Sequence, residues 1–136
     1  MNKESIQIEG LQASLEKLVH HQEESKVEGI SLHAFIYFIK IANLSERTVT
    51  LLGRKWVLVN DDGTKTVVEG EKIVGEAPTI SPGESFSYNS YHVTHLPAEA
   101  HGSFHGVDEF KNRFHVRMKS FRLNIPGQPT IDPTHS

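Results

Sequence analysis

Alternating apolar residues run through most of this chain and predict short β-strands. The clearest run is segment 33–43, where one face carries Phe35, Tyr37, Ile39 and Ile41. The opposite face carries Ala34, Ile36 and Phe38. Segment 48–60 is also apolar on both faces around Trp56, which we expect to anchor the core. Such two-sided strands are either covered by another segment or expose a surface for a partner.

Turn signals separate these strands. Asp62-Gly63 follows segment 48–60, and Asp-Gly is among the strongest hairpin signals, so 64–69 is predicted to be the returning strand. Ser81-Pro82-Gly83 predicts a second tight turn, because proline presets φ and glycine supplies a positive φ. This turn leads into a predicted strand over 84–93.

The last third of the chain predicts two more strands, over 103–107 and 114–125. Within the second, the parity of the apolar residues changes near Lys119–Ser120, which predicts a β-bulge. Prolines recur from Pro126 onward, and proline disfavours strands. We therefore predict one domain over residues 1–126 and a proline-rich tail over 127–136.

Segment 11–22 fits two structures. A helical period is matched by Leu11, Leu15, Leu18 and Val19, whereas a strand alternation is matched by Leu11, Ala13, Leu15 and Lys17. The residue pattern alone favours a helix slightly. Elsewhere the chain predicts seven or eight strands with frequent turns, which indicates an all-β antiparallel sandwich or barrel.

Composition excludes several classes of function. The 136 residues suffice for one domain, and the formal charge of −3 argues against general nucleic-acid or anionic-membrane binding. There is no cysteine, so thiolate metal sites and cysteine nucleophiles are excluded. No apolar run has the length of a membrane span, and the first residues lack the apolar region of a secretory signal. These features predict a cytoplasmic protein.

Four segments in order resemble the ApaG domain, in its stand-alone bacterial form. They are GRKWVLVNDDG, VVEGEKIVGEAPTISPGESFSYNS, GSFHG and FHVRMKSFRLNIP. The resemblance runs from about Leu11 to Pro126. It implies a fibronectin-III-like or immunoglobulin-like β-sandwich, in which segment 11–22 is a strand. It also implies a link to cobalt and magnesium homeostasis, a suggested phosphate-binding role for the glycine motif, and use of the domain as a recognition module.

The glycine motif of this chain is a weak candidate for an anion site. Gly70 and Gly75 are five residues apart, and Lys72 stands where a middle glycine would complete G-x-G-x-x-G. Pro78 follows, so no helix can offer its N-terminus to a pyrophosphate. A backbone nest assisted by Lys72 and Arg54 could still bind an anion. Glycines that permit bends between strands are the more common explanation.

Nine histidines make a metal site worth testing. Most neighbouring pairs face opposite ways or lie too far apart on a strand, as His101 and His105 do at about 13 Å. Across a hairpin, a register that pairs His105 with His115 would bring their Cβ atoms within about 5 Å. These two residues form the candidate metal site.

The last regular strand carries a basic row at Arg113, His115, Arg117 and Lys119. It serves either to protect a sheet edge or to bind an acidic or phosphate-bearing partner. No catalytic constellation is evident. The sequence therefore predicts a non-enzymatic protein-interaction module without a cofactor, and it allows a homodimer. The alternative is a binder of a phosphorylated metabolite or a divalent metal through the Gly70–Gly75 loop.

Overall fold

The computed structural model describes residues 4–27, 29–73 and 75–127. Within these ranges no helix is long and apolar enough to cross a membrane. The regular elements are nine strands: β1 (Leu11–Val27), β2 (Ile30–Asn43), β3 (Val49–Asn60), β4 (Lys65–Gly70), β5 (Thr79–Ile80), β6 (Ser85–Thr94), β7 (Ala98–Asp108), β8 (Arg113–Arg117) and β9 (Phe121–Leu123).

The strands form two antiparallel sheets. The smaller sheet has the order β1-β2-β6, and the larger has the order β4-β3-β7-β8, with β5 beside β3 and β9 beside β7. Side chains of the two sheets meet between them, as the contact of Tyr37 with Trp56 shows. The predicted antiparallel β-sandwich is therefore confirmed. The described residues form nine strands instead of seven or eight, because Thr79–Ile80 adds one and segment 114–125 divides in two.

Trp56 is the centre of the core. Its side chain is fully buried, and its ring lies 4.9 Å from Tyr37, 5.0 Å from His92 and 5.8 Å from Phe121, measured between ring centroids. These partners come from β2, β6 and β9, so the indole joins both sheets. The prediction that Trp56 anchors the core is confirmed. Its large apolar surface stabilises the sandwich as a unit.

Segment 11–22 is a strand, and the helical alternative is wrong. β1 pairs with β2 over nearly its whole length. The pairing shifts register between Leu15 and Lys17, which is the mark of a β-bulge. The extra residue brings Leu18 onto the inner face already occupied by Leu15. A three-residue spacing on a bulged strand thus imitates the period of a helix.

Both strands predicted in the last third of the chain differ from their expected bounds. β7 covers 98–108 instead of 103–107, because its first half buries small residues that carry little strand signal, Ala98, Ala100 and Gly102. The parity change near Lys119–Ser120 is confirmed, although it is a break between β8 and β9 and not a one-residue bulge. Both of these strands pair with β7. The predicted tail falls outside the described residues from position 128 onward.

Candidate functional site

The glycine loop follows β4, and its first glycine makes room for an arginine. Gly70 pairs directly with Arg54 of β3 across the sheet. A Cβ added at Gly70 would lie 2.2 Å from a guanidinium nitrogen of Arg54. The same guanidinium donates a hydrogen bond to the backbone carbonyl of Lys72. Arg54 is therefore engaged in holding the loop.

The second glycine of the motif forms a tight turn. Ile73 and Glu76 exchange two backbone hydrogen bonds, of 2.7 and 3.0 Å. Gly75 lies inside this turn with φ of +81°, which glycine adopts without strain. Ile73 is fully buried, so the turn is fixed to the core. The structural explanation for both glycines thus has direct support.

Two groups that an anion site would need are already occupied. The N–H groups of Ile73 and Glu76 bond within the turn, and the guanidinium of Arg54 contacts the loop carbonyl. Lys72 is exposed, and its ammonium is the cation of the motif that remains directed to solvent. Anion binding by Gly70, Lys72, Gly75 and Arg54 stays a prediction.

The cross-strand register of the candidate metal pair is confirmed. His105 of β7 pairs directly with His115 of β8. Nδ1 of His115 lies 2.7 Å from the hydroxyl of Ser5. In the part of the chain that the structure describes, no group of three or more His, Cys, Asp or Glu is arranged to hold a metal. Two imidazoles are fewer ligands than a zinc site uses, and metal binding by this pair stays a prediction.

His105 belongs to the candidate metal pair and also lies beside Arg54 and Gly70 of the candidate anion site, so the two predicted sites are neighbours. Its ring lies over Gly53, where an added Cβ would be 2.5 Å from the imidazole. A cleft of about 390 Å³ next to it is lined by Arg54, Lys55, Glu69, Gly70, Glu71, Ser103 and His105. Lys55 and Glu69 form an ion pair of 3.5 Å across this cleft. Because two cations meet two carboxylates here, the cleft has no strong preference for anions.

A second, larger cleft lies on the other side of His105. Its volume is about 620 Å³, and it is lined by Ser5, Leu52, Glu71, His105, Gly106, Val107, Arg113 and Phe114. Leu52 is placed there by a register shift between Leu51 and Gly53, which turns it outward. This cleft combines an apolar floor with the cation of Arg113.

Sequence reasoning did not identify a group of inward-facing histidines. His20 and His33 meet on the inner face of the smaller sheet, with ring nitrogens 2.9 Å apart. His92 packs nearby against Tyr37 and Trp56, and its Nε2 has no hydrogen-bond partner. Burial, with a smaller effect from the charge of Arg54, lowers the pKa of His92 to about 4. His33 shares its parity with Phe35, and His92 shares its parity with Tyr88. This shared parity indicates that both histidines face inward, and it could have identified them.

The outer face of the smaller sheet is apolar. Cross-strand pairs place Val19 beside Ile36 and Ile36 beside Tyr91, while Ala34 lies beside Val93. Tyr91 is 63% exposed and Val93 is 45% exposed. This is the second apolar face noted in segment 33–43. No strand of the described ranges pairs or packs over it, so it is a surface and not a covered layer.

β6 forms one edge of this face. It pairs with β2 in an unbroken register from Ser85 to Thr94, and no other described strand pairs with it. Its ten residues include no lysine, arginine, aspartate, glutamate or proline. Its outward backbone groups therefore form an open, uncharged edge.

Comparison with known proteins agrees with this geometry. The family model described as the ApaG domain matches residues 22–111, most of the chain. The chain belongs to the ApaG domain family. "Protein ApaG" of Shewanella pealeana is 42% identical over 96 residues, which cover 70% of this chain and 76% of that protein. "Protein ApaG" of Pectobacterium atrosepticum is 42% identical over 94 residues, covering 68% and 75%. The resemblance inferred from the sequence is thus confirmed.

Solved structures share the ApaG sandwich. An X-ray structure from the Northeast Structural Genomics Consortium has a TM-score of 0.76 and 27% identity, covering 93% of this chain and 96% of that one. A crystal structure of a protein from Bordetella pertussis has a TM-score of 0.71 and 22% identity, covering 90% and 99%. The second likeness concerns the fold alone.

Proposed function

We propose that this ApaG domain is a non-enzymatic module that binds an extended segment of a partner protein along β6. The observation that carries the proposal is the open, uncharged β6 edge beside the apolar outer face. Strand addition uses the free backbone groups of an edge for affinity and the flanking side-chain positions for specificity.

Three of the other edge strands, β1, β4 and β8, show how an edge is protected. β1 is bulged and exposes Glu16 and Lys17. β4 carries Lys65 and Glu69, and β8 carries Arg113 and Arg117. Charges and bulges of this kind prevent an edge from pairing with other chains. β6 has neither, although it is longer than β4 and β8.

β8 is also covered by the chain itself. Ile6 donates its N–H to the carbonyl of Arg113 at 3.0 Å and accepts from the N–H of His115 at 2.9 Å. A short N-terminal segment therefore satisfies the outward groups of β8. The contrast favours β6 as the edge that is kept available.

The outer face indicates the chemistry of the partner. Tyr91 and Val93 alternate along the exposed side of β6, so the added segment needs apolar residues at alternate positions. Beyond them lie Lys17, whose ammonium is 5.8 Å from the centroid of the Phe38 ring, and Lys40. Both cations lie on β1 and β2, away from the open edge of β6, so they place no charge requirement on the added segment.

Selection from a displayed library of random peptides of about 12 residues tests the proposal on the full chain. We expect enriched peptides with alternating apolar residues, and amide shifts in NMR spectra that concentrate in 85–94. Affinity should fall at least about tenfold in Asn89→Lys and in Tyr91→Lys, because a buried aromatic anchor dominates such interfaces.

Gln12→Lys is the matched control, since it adds the same charge at an exposed position on the same face but at the opposite edge. It should leave peptide affinity unchanged. Failure to enrich any peptide, or enrichment of peptides that bind the β6 variants as well as the wild type, would contradict strand addition.

A further inference from the structure

The arginines of this protein divide into two groups. Arg47 forms an ion pair of 3.0 Å with the buried carboxylate of Asp108, and Arg122 makes two 3.0 Å hydrogen bonds to Asp61. Arg54 contacts the carbonyl of Lys72. For the guanidinium groups of Arg113 and Arg117, by contrast, no ion pair or hydrogen bond is formed with any described residue.

These two arginines lie on one outward face of β8. His115 stands between them, and the register continues the row onto β7, where His105 pairs with His115 and Ser103 pairs with Arg117. Alternate residues of a strand are about 6.6 Å apart, so Arg113 and Arg117 are separated by about 13 Å along the strand. This arginine row (Arg113, His115 and Arg117) belongs to the larger sheet, on the opposite side of the sandwich from the apolar outer face.

We propose that the arginine row binds an acidic segment of a partner protein in extended conformation. Arg binds carboxylates with two parallel hydrogen bonds, and carboxylates on alternate residues of an extended chain repeat at the same interval as the row. A single small anion would contact both guanidinium groups only if both side chains leaned toward His115, whereas an extended segment can meet Arg113, His115 and Arg117 each with its own carboxylate. The spacing therefore favours an extended polyanion over inorganic phosphate.

The surroundings of the arginine row indicate where the acidic and apolar residues of the segment would lie. Ser5 occupies Nδ1 of His115, which leaves Nε2 for a ligand. The larger cleft adjoins Arg113 and offers the apolar surface of Leu52, which is 39% exposed. Glu71 also lines that cleft, and its carboxylate would repel other carboxylates. The acidic residues are thus confined to β8, with an apolar residue placed toward Leu52.

This inference is independent of strand addition at β6. The two surfaces lie on different sheets and involve different residues, so either can fail alone. The arginine row predicts binding that weakens strongly with salt, because its charges are exposed to solvent. Binding at the apolar face should depend much less on salt.

Fluorescence anisotropy with two labelled peptides tests the arginine row. One peptide carries glutamates at alternate positions, and the other has the same composition with the glutamates adjacent. With the full chain at low salt we expect the alternating peptide to bind at least about threefold more tightly. The double variant Arg113→Gln/Arg117→Gln should weaken it by at least about tenfold, since each lost bidentate pair removes a charge-assisted contact.

Lys65→Gln is the matched control, because Lys65 is an exposed cation on the same outer face but on β4. It should leave the affinity unchanged, and the melting temperatures of all variants should match the wild type. Equal binding of both peptides, or full binding by the double variant, would overturn the proposal. Arginine-dependent binding of pyrophosphate without peptide binding would identify a small-anion site instead.

Discussion

Both outer faces of the sandwich consist of the outward residues of a sheet, but the two faces differ in chemistry. The three-stranded sheet presents an apolar centre around Tyr91 and Val93 and ends at an uncharged edge. The six-stranded sheet presents histidines and arginines, and its β8 edge is paired by Ile6. Both faces rest on one core, so chemistry on either surface can change without altering the fold.

In such a domain, inward and outward residues are under different constraints. Inward residues are fixed by packing against Trp56, whereas outward residues are constrained mainly by solubility and by partners. An apolar outward face departs from what solubility alone requires, whereas the arginines of β8 are solvated charges that form no ion pair with any described residue. The partners proposed for the two faces accordingly differ in chemistry.

The largest expected effect comes from removing the core that both faces share. Trp56→Ala should lower the free energy of unfolding by about 4 kcal/mol, because a large cavity would form where four strands meet. Urea unfolding followed by circular dichroism measures this. Tyr91→Ala removes an exposed aromatic residue and should change stability by less than about 0.5 kcal/mol. Similar losses in both variants would show that the outer aromatic is structural.

Acid should weaken the interior through the imidazole of His92. Because the pKa of His92 is about 4 in the fold and about 6.5 when unfolded, the unfolded chain takes up a proton first as the pH falls. Stability is therefore full above pH 6.5 and should decline by about 3 kcal/mol on approaching pH 4. His33, whose pKa is lowered by burial and by His20, contributes in the same direction.

His92→Leu tests this pH dependence. The variant cannot titrate at this position, so its stability should change less between pH 7 and pH 4 than that of the wild type. Chemical denaturation at a series of pH values gives both curves. An unchanged slope in the variant would assign the acid sensitivity to other groups.

Substitution of Gly70 should have a smaller effect on stability. It tests whether this glycine serves the structure of the loop or the binding of a ligand. Gly70→Ala should cost about 1 kcal/mol without any ligand, because the new methyl group displaces the guanidinium of Arg54. The same substitution in an Arg54→Ala background should cost much less, and the double-mutant cycle measures the coupling. Additive costs would mean that Gly70 serves a purpose other than making room for Arg54.

The surface variants should have the smallest effects on stability. They test most directly whether the two outer faces act separately. Asn89→Lys and the arginine-row double variant should each change the free energy of unfolding by less than about 0.5 kcal/mol. Each should lose its own peptide and retain the other. Loss of both peptides in one variant would show that the two faces are coupled, and calorimetric titration distinguishes these results.

The core could be predicted because burial follows parity. Phe35, Tyr37, Ile39 and Ile41 are buried as their alternation indicates. The pairing of His105 with His115 could be predicted because both residues lie equally far from one hairpin, and its register follows from the loop between them. In these cases a local count is enough to locate a side chain.

Other features depend on how strands pair, which cannot be found by counting positions along one segment. The helical alternative for 11–22 fails because a bulge changes parity, and the bulge is fixed by pairing with β2. The first half of β7 was missed because its inward residues are small. The β6 edge could not be predicted, since strand order decides which strand is last in a sheet. The loop contact of Arg54 likewise depends on the pairing of β3 with β4.

Three glycines of this domain face large side chains on the neighbouring strand, and this has an evolutionary consequence. Gly53 lies under His105, Gly70 under Arg54 and Gly102 under Trp56, each too close for an added Cβ. A gain of volume on one side must be matched by a loss on the other. Among descendants of this sequence, these positions should therefore mutate in pairs, and a pair inherited together would record which strands have remained neighbours.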